Sequence, residues 1–159
     1  MDLIVKTARF AEQQRIIDSR LLPVAIARKL PEHYPLRYHG RRLSQIMPEW
    51  EWIRYLSEDE VLPLYAARLE AVSFEWIRER FEIWLDEVEK NGVRMPGVVL
   101  LCHEDLSKPG AWCHRRMFAE WWTQHTGDMV EELMAIPVPD LQISLPLETL
   151  AEGVAWIAN

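Results

Sequence analysis

Cysteine is scarce in this 159-residue chain, with only Cys102 and Cys113, so no disulfide framework holds the fold together. Long apolar runs are missing as well. Stretches such as 98–102 are far shorter than the roughly 20 residues of a bilayer-crossing helix. Lys6 and Arg9 arrive before any apolar leader, so no secretory signal is expected. Positive charge is not in excess either. The net charge is −7, which excludes a uniformly basic nucleic-acid binder. With 49% hydrophobic and 27% charged residues, the expectation is a soluble, cytoplasmic, globular domain with no membrane partner. Its length suits one domain spanning 1–159, without repeats.

What is plentiful is tryptophan: eight residues, at 50, 52, 76, 84, 112, 121, 122 and 156. A tryptophan-rich core is the simpler reading. A base-stacking platform requires an exposed pair, for which Trp121 and Trp122 are the candidates. Charge is also unevenly placed. Residues 1–54 hold ten Lys+Arg against six Asp+Glu, whereas the remainder holds eight against nineteen. The densest basic stretch, Arg37-Tyr38-His39-Gly40-Arg41-Arg42, follows Arg28-Lys29 and His33-Tyr34. Arginines among aromatics suit phosphate and base contacts, but a solvated loop paired with the acidic remainder explains them equally.

Along the chain, 3–8 and 23–27 read as strands around a polar helical turn at 12–20. Pro31, Pro35 and Pro48 with Gly40 describe a long ordered loop. Helical spacing recurs at Leu62, Tyr65, Ala66 and Leu69. It recurs again at Phe74, Ile77, Phe81, Trp84, Leu85 and Val88, before Asn91-Gly92. The run 98–102 is apolar on both faces, as a central parallel strand should be. A helix over 113–124 and a last strand at 130–134 follow, and 147–158 reads as a short tail helix. This alternation predicts a single three-layer α/β domain with a small, mainly parallel sheet flanked by helices.

Chemistry concentrates just after the central strand. Cys102-His103-Glu104 ends it, and Pro109-Gly110 leads to Cys113-His114-Arg115-Arg116 at a helix start. Ligands of open α/β sheets bind beyond the carboxyl ends of strands. A helix N-terminus favours an anion or a thiolate. Three readings stay open. Cys113 acts as a nucleophile of lowered pKa with His114 or Glu104 as acid–base group; Cys102, Cys113 and a histidine hold a metal; or all are buried fold residues. The single Cys-x10-Cys spacing lacks the paired clusters of a structural zinc site, so neither metal nor cofactor is expected.

These residues resemble the family catalogued as domain of unknown function 488. The matching elements are Leu100-Leu101-Cys102-His103-Glu104, Pro109-Gly110, Cys113-His114-Arg115 and Ala119-Glu120-Trp121. Thr7-Ala8-Arg9-Phe10, the run 23–29, Pro31 through Tyr34, and 43–48 are similar to its N-terminal part. The resemblance covers about 3–134 and leaves 135–159 as a C-terminal extension. It implies a site at Cys102, Glu104, Cys113, His114 and Arg115 without naming a reaction. The resulting expectation is an enzyme acting on a phosphate-bearing substrate, a nucleotide or nucleic acid. Cys113, His114, Glu104 and Cys102 are then catalytic, and Arg115, Lys29, Arg37 and Tyr34 bind the anion. The alternative is a non-catalytic module that binds nucleic acid or protein. Oligomeric state stays open.

Overall fold

The computed structural model describes residues 3–32 and 41–134. Tyr34, Arg37, most of the densest basic stretch and the tail helix expected at 147–158 lie outside them. The elements run β1 (Ile4–Arg9), α1 (Gln13–Ser19), β2 (Leu22–Ala25), β3 (Arg41–Arg42), a 3-10 turn (Ser44–Ile46) and α2 (Trp50–Tyr55). They continue with α3 (Glu58–Val72), α4 (Phe74–Lys90), β4 (Gly97–Cys102), α5 (His114–Thr126) and β5 (Glu131–Leu133). This is a single α/β domain. None of the described helices is long and apolar enough to cross a membrane.

All five strands are parallel, in the order β3-β2-β4-β1-β5. All six residues of β4 are buried, because both neighbours and a helical layer cover them. Its register with β1 runs from Ile4↔Gly97 to Arg9↔Cys102. At the first of these pairs the chains pass so closely that a Cβ on Gly97 would stand 1.9 Å from the Ile4 carbonyl oxygen. β2 keeps Pro23 inside the sheet, where it has no N–H to donate. The short edge strand β3 pairs only with Val24 and Ala25, so Pro23 lies beyond its reach.

Helix α3 begins with a capping box in which Ser57 and Glu60 satisfy each other's backbone N–H groups. Its buried stripe is Val61, Tyr65 and Leu69; Leu62, expected on that face, is exposed. Ser73 both ends α3 and caps α4, at φ 76°, and its hydroxyl accepts from the Trp76 N–H. Helices α3, α4 and α5 pack on one another and on β4 and β1. Helix α1 gives the core only Ile16. The crossover from β1 to β2 runs opposite to those from β3 to β4 and β4 to β5, so right-handed crossovers put α1 on the other face.

Trp121 and Trp122 are 6% and 2% exposed and pack with Phe74, Phe81 and Phe118. The tryptophan pair is therefore core, not a stacking platform. Two elements escaped the sequence pattern. Helix α2 buries no residue, and β3 is held by backbone pairing that no side-chain alternation reports.

Candidate functional site

The chain leaves β2 towards β3 and leaves the adjacent β4 in the opposite direction, towards β5. In open α/β sheets, such a divergence of loops past the carboxyl ends of two adjacent strands is where ligands ordinarily bind. Cys102 closes β4 there, and β2 runs on into Ile26, whose N–H donates to the Leu101 carbonyl at 3.0 Å. The 103–113 connection folds back so that α5 starts at the same place, with Cys113 as its N-cap and His114 as its first residue. Strand end and helix start, with ten residues between Cys102 and Cys113, thus meet.

Cys102 Sγ, Cys113 Sγ and one ring nitrogen of His114 lie within 4.8 Å of one another, and all three residues are buried. The His114 Nε2–H donates to the Ile26 carbonyl at 2.8 Å. That bond turns Nδ1 towards both sulfurs, 3.9 Å from Cys102 and 3.7 Å from Cys113. The Cys102 thiol donates to Glu104 Oε2 at 2.9 Å. Burial pushes the Glu104 carboxyl up, but hydrogen bonds from the two thiols outweigh it and hold the group below the usual carboxylate range. Glu104 is half-buried and is the member of the group that reaches towards solvent.

Cys113 departs from expectation. A helix N-terminus was expected to lower its pKa. Burial instead pushes the thiol well above its ordinary value, because each cysteine is only 2% exposed and a thiolate there loses its hydration.

Arg115 is likewise committed inside the protein. Its side chain is fully buried, grips Glu132 on β5 through Nε and Nη2, and donates from Nη2 to the Glu104 carbonyl at 2.8 Å. Its Nη1 is buried without a partner. The guanidinium therefore ties β5 to the loop after β4, and it meets the Glu132 carboxylate rather than an external anion.

Lys29 does come to the rim. His103 Nε2–H donates to its backbone carbonyl, and its side chain is exposed. Neighbouring basic residues are paired: Arg28 with Glu49 and the Pro48 carbonyl, Arg41 with Glu87, and Arg42 with the Arg28 carbonyl. Tyr34 and Arg37 lie outside the described residues.

The sequence pattern places Tyr65 only on an apolar stripe. Its ring stands edge-on to His114 at 5.4 Å, and its buried hydroxyl has no hydrogen-bond partner. Burial, with the two cysteine sulfurs adding to it, pushes that hydroxyl well above its ordinary value. Helical spacing predicts that Tyr65 is buried; no spacing says that it meets His114. No family model, curated protein or solved structure matches this chain.

Proposed function

We propose that this chain is an enzyme whose reaction centre is the group Cys102, Glu104, Cys113 and His114, acting on a small phosphate-bearing molecule. The observation that carries the reading is the 2.9 Å bond between the Cys102 thiol and a half-buried Glu104 carboxylate that is kept charged. A half-buried carboxylate in that position is suited to accept and return a proton, while the sulfurs and His114 act from beneath it. Lys29, exposed on the same rim, is the anion contact in this reading, and Arg115 is a positioning residue. The motifs that resemble domain of unknown function 488 supply these residues, which supports placing the chain in that family. A cytoplasmic location fits two cysteines left as thiols.

A second reading is a non-catalytic binding module, favoured by one observation: neither cysteine is reachable from solvent. Hydrolysis of a panel of nitrophenyl phosphate mono- and diesters separates the two. Turnover by the native chain that falls by about 10²–10⁴ in Glu104→Gln, with unchanged circular dichroism, supports the enzyme. Rates indistinguishable between the two proteins overturn it. Ligand binding that survives Cys113→Ala then favours the module.

A further inference from the structure

We propose that Cys102, Cys113 and His114 bind one divalent metal ion of the zinc class through the two Sγ atoms and Nδ1. The inference deepens the reaction centre proposed above and rests on it for any catalytic use of the ion. A metal is one of the readings open in the sequence, but the single Cys-x10-Cys spacing, with a histidine adjoining one cysteine, lacks the paired clusters that would favour it. Tertiary structure supplies the convergence, since a strand end and a helix start deliver the donors to one point.

Geometry carries the argument. Tetrahedral zinc, with bonds of about 2.3 Å to sulfur and about 2.0 Å to imidazole nitrogen, separates its S and N donors by about 3.5 Å. The observed S–N distances of 3.9 and 3.7 Å need shifts of a few tenths of an ångström. The two sulfurs, which lie within 4.8 Å of each other, have to close towards about 3.8 Å, the separation in a tetrahedral site. Two thiolates and an imidazole form a donor set suited to zinc, and three protein ligands leave a fourth position for water or substrate.

The surroundings agree. A metal-bound histidine ordinarily donates its other ring N–H to a carbonyl or carboxylate, and the Ile26 carbonyl already takes that role. The Tyr65 hydroxyl, buried beside His114, lacks a partner, and a water on the ion is the kind of group that would satisfy it. When the ion takes the Cys102 sulfur, the thiol no longer donates to Glu104, and the carboxylate on that side can accept from such a water instead. Binding replaces two S–H bonds by two sulfur–metal bonds and releases two protons to solvent. No atom changes oxidation state.

The test uses the full chain, reduced and stripped with a chelator, then titrated with Co²⁺ and Zn²⁺. Expected are one ion per chain, thiolate-to-cobalt charge-transfer absorption in the near ultraviolet, and d–d bands of tetrahedral intensity that Zn²⁺ bleaches. Cys113→Ser should weaken zinc retention beyond the roughly 10–100-fold that loss of an outer-shell partner costs. His103→Gln, outside the donor set, should leave it unchanged. Folded, reduced native chain that shows no thiolate–cobalt absorption overturns the proposal, whatever the variants do. Phosphate-ester turnover that persists undiminished in the chelated protein overturns the ion's catalytic use while sparing the enzyme. A bound ion in a chain whose Glu104→Gln variant turns over normally overturns the enzyme while sparing the metal.

Discussion

At the scale of single residues, burial decides chemistry more strongly than residue type does. Arg115 sits in the motif where an anion-binding arginine was expected, yet its guanidinium has no solvent-facing surface and is held by Glu132. Removing one member of a buried pair strands the other as an uncompensated charge, at a cost of about 3–5 kcal/mol. Glu132 retains some exposure, at 20%, so water can partly compensate and the lower end applies. Glu132→Ala should therefore lower unfolding stability by roughly 3 kcal/mol in urea. A loss below about 0.5 kcal/mol would mean that the pair acts as an ordinary surface bridge. Cys113 teaches the same lesson. Its place at a helix start argues for a reactive thiolate, but desolvation reverses the direction of its pKa.

At the scale of elements, the closest constraint lies between β1 and β4. The strands align so that Gly97 faces the Ile4 backbone, and an added methyl meets a carbonyl oxygen that cannot rotate away. Relief requires moving a strand that is hydrogen-bonded on both sides. Overpacking of a well-filled site costs about 1–3 kcal/mol, and Gly97→Ala should reach or exceed the top of that range. Thermal melting of the variant reads the effect directly, and an unchanged midpoint would refute the close approach. Since β4 ends at Cys102, a shift along this strand also displaces one sulfur of the cluster. Strand register and site geometry are therefore one property.

At the scale of the molecule, Glu49 joins three regions that the sequence keeps apart. Its carboxylate takes Arg68 from α3 and Arg28 from the segment after β2, while its backbone starts α2. Arg68 chiefly, with Arg28, holds the carboxyl below its ordinary value of 4.5. A group whose folded pKa is depressed stabilises the fold above its unfolded value and loses that contribution as pH falls through the folded one. Stability should therefore drop as pH is lowered below about 4.5, and Glu49→Gln should flatten part of that drop. Melting midpoints from pH 7 down to pH 3, at low and high salt, check the sign. A Gln variant with the same slope as the native chain would show that acid sensitivity originates elsewhere. The pair is exposed enough that added salt should also weaken it.

By itself, the sequence determined the class of fold, because hydrophobic periodicity is a local property. The apolar run of β4, the Phe74–Val88 spacing and the alternation of strands with helices required a layered parallel sheet, and that is what forms. It also determined where chemistry could gather, since Cys102, Glu104, Cys113 and His114 flank one loop beyond a buried strand. Backbone-held elements such as β3 left no such trace, nor did α2, which buries nothing. Tertiary structure alone decided what the gathered residues are. Convergence of β2, β4, α3 and α5 turned the Ile26 carbonyl towards His114, set Tyr65 against its ring and withdrew both sulfurs from water. It also spent Arg115 on a carboxylate from β5. Distances of a few ångströms and the loss of hydration fix pKa and coordination, and neither is written in the order of residues along a chain.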